Sequence, residues 1–292
     1  MKPKISVIIP TYNDPTYLEE SIRSVLSQNY PRSKYEILII DGSTNDSILN
    51  LYKNRFSRIK TIRYVREKGC NLPEALNIGV KNMRGYFFKQ LDCDDLLTKN
   101  SLDRYDKYIS ETPDFLVFYS DARIIDEKGK VISVMKEGSY KGIELAERIW
   151  KGPIGYPSSY IINKRCFEIV GTFNEKNRMA EDWEWRIKAI FVNNISFYHI
   201  RESLISYRKH NNRKSTSDLR TNSIYVFRMK KRLINELKAK VTDPRLLKIL
   251  KISYNKWMAS LIKRNIEVIF KLNKNKTYRK FIVKLEENIG SV

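Results

Sequence analysis

Histidine, cysteine and glycine-rich loops are scarce in this 292-residue sequence. The 2 histidines and 3 cysteines (Cys70, Cys93 and Cys166) fall in no spacing that builds a recognisable zinc site, and an odd, scattered set of thiols supplies no disulfide framework. Reduced thiols in a cytosolic compartment are the expectation. There is no Gly-x-Gly-x-x-Gly and no Gly-Lys-Ser/Thr loop, which excludes the common glycine-rich phosphate cradles. No apolar run approaches the roughly 18 residues that suggest a membrane-crossing helix. Met1-Lys2-Pro3-Lys4 leads directly into a strand-like segment, so no secretory signal is expected.

What the chain does have is apolar residues and positive charge. With 42% hydrophobic residues it can bury a sizeable core, as one large α/β domain with a tail or as two modest domains. The formal charge of +22 is uneven. Residues 201–292 hold 24 Lys and Arg against 7 Asp and Glu, so +17 lies there and +5 in the first 200 residues. Basicity is therefore a property of the C-terminal third.

Strand-like runs at residues 5–9, 35–40, 61–65 and 86–91 alternate with helical patterns. The first helix is expected to start with Asp14 as N-cap and Pro15 at the first helical position, keeping Leu18, Ile22, Val25 and Leu26 on one face. Helices at about 47–56 and 73–83 follow. This alternation predicts a parallel, doubly wound sheet, in which ligands bind beyond the carboxyl ends of the strands. Asn13, Asp14, Asp41 and the run Asp92-Cys93-Asp94-Asp95 all sit just after strands and should converge on one rim. Three carboxylates within four residues repel one another unless a cation lies between them, and an oxygen-only donor set suits Mg²⁺ or Mn²⁺. The other reading of the run is a solvated turn that caps the next helix.

Further on, Thr98 is expected to cap a helix to about residue 110. Residues 115–119 read as a strand, and 123–126 with 130–134 as an edge hairpin about Glu127-Lys128-Gly129. After a helix at 142–151, Gly152-Pro153-Ile154-Gly155-Tyr156-Pro157-Ser158-Ser159 reads either as the wall of a polar substrate cleft or as an ordinary connection. Ala180-Glu181-Asp182-Trp183-Glu184-Trp185-Arg186 opens another helix. One carboxylate in a first helical turn is favoured by the dipole alone. Two adjacent carboxylates beside two tryptophans also suit sugar stacking and proton transfer from a hydroxyl.

In this order the motifs resemble family 2 of the glycosyltransferases, inverting enzymes with the GT-A fold. The resemblance covers about residues 4–217: Ser6-Val7-Ile8-Ile9-Pro10-Thr11-Tyr12-Asn13 with Asp14, then Asp41-Gly42-Ser43-Thr44, Ala75-Leu76-Asn77-Ile78-Gly79, Gly85-Tyr86, and Leu91-Asp92-Cys93-Asp94-Asp95. Gly171-Thr172-Phe173-Asn174-Glu175, Glu181-Asp182-Trp183, and Tyr207-Arg208-Lys209-His210 with Ser215 complete it. The resemblance implies a Rossmann-like, mostly parallel sheet flanked by helices, with a nucleotide-sugar half at about 1–97 and an acceptor half at about 98–217. It implies a nucleotide-sugar site of Pro10, Thr11, Tyr12, Asp14, Asp41, Lys68, Asn77, Asp92, Cys93 and His210, with a UDP-sugar as the expected donor. Asp94, with His210, would hold the Mn²⁺ or Mg²⁺, and Asp95 would cap the following helix. Asp182 would be the general base, supported by Glu181 and raised in pKa by its partly buried setting. Tyr156, Ser158, Ser159, Trp183 and Trp185 would meet the acceptor. Two departures stand out: the family often has two aspartates before its Gly-Ser, and Ile40 takes the first place here. The spacing from Gly69 to Ala75 also differs from the commoner form, and Lys68 is the residue expected to take the diphosphate contact there.

The implied reaction moves a sugar to a hydroxyl of a glycan or polyprenyl-diphosphate-linked glycan in surface polysaccharide synthesis. Residues 218–292 read as a basic helical extension, with helices at about 222–239, 244–272 and 278–287. Packing on the catalytic domain is one reading of it. Docking on an anionic membrane at the cytoplasmic face is the favoured one. A nucleic-acid-binding protein would share the basicity but leaves the acidic rim unexplained, because rim carboxylates repel phosphate unless metal intervenes. A catalytically inactive nucleotide-sugar-binding module is a third possibility, and the filled metal and base positions tell against it.

Overall fold

The structure, a computed structural model, describes residues 2–210, 219–252, 255 and 259. Its first half is a parallel sheet built from runs that are apolar on both faces. Strands β1 (Ile5–Thr11) and β2 (Tyr35–Asp41) are buried at every position, and β3 (Ile62–Arg66) and β4 (Phe87–Gln90) flank them in the order β3-β2-β1-β4. Helices α1 (Leu18–Leu26), α2 (Ser47–Arg55) and α3 (Leu72–Asn82) make the crossovers. Leu18, Ile22 and Val25 of α1 are buried, as their spacing predicts. Register then places Thr11 beside Asp41 and Asp41 beside Arg66, so the loops leaving these strands share one rim. α3 is held close to the sheet at Gly79, where a Cβ would lie 2.5 Å from Cγ2 of Ile8.

The second half mixes strand directions. Among the described residues nine strands form one sheet, which continues β4-β8-β6-β9-β5, with β7 on the other part of β6. These strands are β5 (Leu96–Leu97), β6 (Val117–Ile125), β7 (Val131–Met135), β8 (Tyr160–Asn163) and β9 (Phe197–Arg208). β8 is antiparallel to both β4 and β6, whereas β9 runs parallel to β6. Between them lie α4 (Ser101–Glu111), α5 (Gly142–Lys151), α6 (Arg165–Val170) and α7 (Glu181–Phe191). The twelve-residue β9 also pairs with β5, carrying its C-terminal end back to the aspartate run after β4.

Several local expectations change. α1 begins at Leu18, and Asp14 instead accepts hydrogen bonds from the backbone and hydroxyl of Thr16 in a local turn. The aspartate run does not cap a helix: β5 and a turn intervene before α4, whose N-cap is Asn100 rather than Thr98. The strand and first hairpin arm expected at 115–126 are one continuous strand, β6, and β7 forms the exposed edge.

Helix α8 (Leu219–Lys238) opens the basic extension, and residues 244–252 are helical again. The remainder of the expected second helix beyond 252, the third helix and Ser215 lie outside the described residues, apart from 255 and 259. The chain divides into compact units after Leu233, so the first turns of α8 belong to the unit containing the sheet.

Candidate active site

The nucleotide side of the rim is assembled by short loops that hold one another. Asn13 adopts φ 59°, a conformation asparagine tolerates better than most residues. Its Oδ1 accepts from the Thr44 amide at 2.9 Å, and its own amide donates to Ser43 Oγ at 2.7 Å, tying the loop after β1 to the loop after β2. Asp41 is fully buried, accepting from the Ser43 amide at 2.8 Å and from the Tyr64 hydroxyl, with Arg66 Nε 3.7 Å away. Gly42 is required here, because a Cβ would meet the Cys70 carbonyl at 2.6 Å. Pro10 and Thr11 are buried beside it, and the Tyr12 ring is half exposed at 51%. Asp14 is exposed, and its hydrogen bonds from Thr16 hold its carboxyl below the usual range. Lys68 is exposed on the loop after β3. Asn77 is engaged elsewhere. Its side-chain amide clamps Phe173 N and O at 2.9 Å and the Glu175 carboxylate, fixing α3 to the 171–177 loop.

Asp92, Asp94 and Asp95 each bring an oxygen within 4.8 Å of the others. The chain bends there because the Asp95 amide donates to the Asp92 carbonyl at 3.0 Å. Asp95 is fully buried, and its carboxylate accepts from the Arg208 amide at 3.1 Å and from Ser158 Oγ at 2.7 Å. It shapes the turn from beneath. Asp92 accepts from Gln90 Nε2 at 2.8 Å, and Asp94 meets His210 Nε2 at 2.8 Å. Asp92 and Asp94 are half-buried at the rim. The carboxylates are hard donors that fit Mg²⁺ or Mn²⁺, and the His210 imidazole beside them is a borderline one.

Two buried basic side chains, Arg208 and Lys89, lie beneath the turn. Arg208 is fully buried and donates through Nε to the Asp94 carbonyl at 3.0 Å, through Nη1 to the Glu127 carbonyl at 2.9 Å, and through Nη2 to Glu20 at 2.6 Å. Lys89 is also fully buried, donating to the carbonyls of Gln90 and Ser158. Burial lowers its pKa to about 7, while Asp95 and Asp92 act in the opposite direction. The sequence patterns assign no role to Arg208, Lys89 or Gln90. Only Arg208 carries a signal, two places before His210 in the same motif.

Ser158 and Ser159, expected at the acceptor, are fully buried. Ser158 accepts from the Asp92 amide at 3.0 Å and donates to Asp95, so its hydroxyl belongs to the carboxylate turn; Ser159 donates to the Tyr156 carbonyl. Trp183 and Trp185 are likewise core residues, their ring N–H groups donating to Ile149 O at 2.6 Å and Gly171 O at 2.8 Å. The reason is the two-sided burial of α7, which takes up large apolar rings that one sequence cannot distinguish from a sugar-stacking pair. Tyr156 is half-buried and stacks on Tyr207 at 3.7 Å between centroids. Cys93 packs partly buried against the core.

At the start of α7, Glu181 is 4% exposed and its pKa rises to about 8, first through burial and then through the charges of Asp182 and Asp92. Asp182 is 16% exposed and paired with Arg186, one turn along α7. The Arg186 guanidinium lies 3.8 Å from the Tyr160 ring centre and also donates to Ile154 O at 3.2 Å. Gln90, which binds Asp92, lines a cavity of about 10 Å³ together with Asp182 and Arg186, room for about one water. The carboxylate turn and the acidic helix start are therefore neighbours.

A Rossmann-like sheet with a three-carboxylate turn after its fourth strand, and an acidic helix start beside that turn, is the architecture of the GT-A glycosyltransferases. The chain belongs to glycosyl transferase family 2, whose family model matches residues 6–181, and it is a glycosyltransferase. An uncharacterized glycosyltransferase of Methanocaldococcus jannaschii is 28% identical over 77% of this chain and 78% of its own length. A second, from Rickettsia conorii, is 34% identical over 61% of this chain but only 29% of its own length. S. aureus TarS residues 1–349, solved in complex with UDP-GlcNAc, superposes with a TM-score of 0.64 at 16% identity, covering 98% of this chain and 80% of that one. A Pyrobaculum calidifontis mannosyltransferase in complex with GDP-Man and Mn²⁺ gives a TM-score of 0.59 at 16% identity, over 97% and 84%. At these identities the superpositions establish the fold.

Proposed function

We propose that the protein is an inverting, metal-dependent transferase that moves a sugar from a nucleotide sugar, with a UDP-sugar as the expected donor, to a hydroxyl of a glycan or lipid-linked glycan. The observation that carries this is the adjacency of two acidic groups suited to different steps. Gln90 binds Asp92 and borders the same cavity as Asp182. A basic nucleic-acid-binding protein has no use for that pair.

Thr11, Tyr12, Asp14 and Asp41 hold the base and ribose, and Asp92 and Asp94 face the diphosphate. Asp94 with His210 would hold a divalent cation, which when bound offsets charge growing on the leaving diphosphate. Relatives of the same fold solved with UDP-GlcNAc and with GDP-Man and Mn²⁺ support both parts of this donor site. The bond from the anomeric carbon to the diphosphate oxygen breaks with its electron pair leaving on the diphosphate. The acceptor oxygen bonds the same carbon from the opposite face, and its proton passes to the Asp182 carboxylate. Arg186 orients that carboxylate. Glu181, raised to about 8, is protonated at neutral pH and keeps a second negative charge away from the base.

Screening UDP-, GDP- and dTDP-sugars for hydrolysis and thermal stabilisation tests the donor. Asp182→Asn is expected to abolish turnover while nucleotide binding stays within about twofold of wild type, and normal turnover by that variant would overturn the base assignment. The acceptor chemistry and the basic extension support a location at the cytoplasmic face of a membrane. The attachment proposed there is peripheral, through the basic extension, and among the described residues no helix is long and apolar enough to cross a membrane.

A further inference from the structure

The start of α7 has no side-chain cap: its N-cap is Ala180. Three acidic residues, Glu181, Asp182 and Glu184, crowd this first turn. The side-chain contacts that hold this turn come from the preceding loop, from Lys188 within the helix and from α8. Glu184, two residues past Asp182, has a side chain only 1% exposed. It accepts from Asn174 Nδ2 at 3.0 Å, Asn177 Nδ2 at 2.7 Å, Lys188 Nζ at 3.2 Å and the guanidinium of Arg232 on α8. Asn174 and Asn177 belong to the loop that leads into α7, and Asn77 of α3 holds the same loop through Phe173 and Glu175. The Glu184 carboxylate thus fastens the entry of the helix to the helix itself.

A second contact from α8 falls on the neighbouring residue. Lys230 is 3% exposed, with Nζ 4.9 Å from the Trp183 ring centre and 5.3 Å from that of Trp150. A cation held over two indole faces is attracted by both, and desolvation strengthens the attraction. Met229 and Leu233 are buried beside it. α8 therefore touches α7 at Trp183 and Glu184, the two residues directly after Asp182. This grip lies beyond residue 181, where the family match ends, and comes from the extension that its charge alone marks for surface binding.

We propose that Lys230 and Arg232 are positioning residues for sugar transfer: by holding Trp183 and Glu184 they set the first turn of α7, and with it the aim of the Asp182 carboxylate at the acceptor hydroxyl. The inference rests on Asp182 being the base. Neither residue meets substrate. Their effect belongs to the alignment of the reacting groups, where a misplacement of about 1 Å can cost on the order of 100-fold in rate.

The test uses the full chain carrying Lys230→Met, Arg232→Met or Arg232→Lys. Turnover is read as hydrolysis of the nucleotide sugar chosen by the donor screen, with water in place of the acceptor hydroxyl, and nucleotide binding as UDP affinity in the presence of Mn²⁺ by calorimetry. Each Met variant is expected to lose roughly 10- to 100-fold in kcat. The donor KM and UDP affinity should stay within about twofold of wild type, and Arg232→Lys should recover most of the rate. Wild-type kcat in both Met variants overturns the proposal, and so does a parallel loss of kcat and UDP affinity, which marks general destabilisation. Asp182→Asn run alongside separates the two claims. An inactive Asp182→Asn with fully active Met variants sinks the α8 grip alone, whereas an active Asp182→Asn overturns the base assignment and, with it, the aim ascribed to Lys230 and Arg232.

Discussion

Glu181 carries a pH signature of its own at the site. Its carboxyl is raised from 4.5 to about 8 in the folded chain, so the folded state holds a proton that the unfolded state releases across that interval. The stability associated with the proton is complete below about pH 4.5 and is lost as pH rises through 8. Glu181→Gln cannot lose it. The difference between the melting temperatures of wild type and Glu181→Gln should therefore move in favour of the variant from pH 5 to pH 8.5, and two parallel curves would contradict the buried, protonated assignment. Asp94 gives a prediction of another kind. Asp94→Ala should weaken UDP binding in the presence of Mn²⁺ by about tenfold or more while leaving metal-free binding unchanged, as read by calorimetry with and without EDTA. Equal affinities under both conditions in the wild type would remove the metal from the donor site.

At the scale of elements, the site depends on how separate segments close around the turn after β4. Ser158 links the 152–159 loop to it through the Asp92 amide and the Asp95 carboxylate. Ser158→Ala leaves the Asp92 amide and the buried Asp95 carboxylate each short of a hydrogen bond and should cost about 1–3 kcal/mol by denaturant titration. Weaker Mn²⁺ binding should accompany the loss, and an unperturbed midpoint would show that the turn is held elsewhere. α3 gives a second case: Asn71 and Glu74 form a reciprocal capping box, so Asn71→Ala should cost about 1 kcal/mol. The parallel strands and their helices are legible in the sequence because continuous apolar runs of strand length alternate with helical periodicity. The caps are not, since Asp14 satisfies a local turn at Thr16 and Asn71 closes its box across three residues. The hydroxyls of Ser158 and Ser159 and the indoles of Trp183 and Trp185 pass for acceptor contacts in the sequence because polar and aromatic groups serve clefts and cores alike. Only the approach of other segments distinguishes the two.

For the whole molecule the unequal charge matters most. With 24 Lys and Arg against 7 Asp and Glu in residues 201–292, the full chain should bind anionic vesicles strongly at low salt and weakly at high salt. Cosedimentation with phosphatidylserine vesicles, set beside binding to duplex DNA at the same two salt concentrations, checks this. Tight DNA binding with no uptake by the vesicles would end the membrane reading. Much of what defines this protein is written locally along the chain: the buried parallel strands, the order of the acidic loops, the Asp92–Asp95 run and the Glu181-Asp182 pair follow from residue type, spacing and resemblance. Tertiary structure alone decided which carboxylate lies beneath the turn, that Arg208 reaches it, and that α8 reaches back to the two residues after Asp182. Those are contacts between groups tens to more than a hundred residues apart, and burial, which sets both their strength and the protonation of Glu181, exists only once the chain has closed around them.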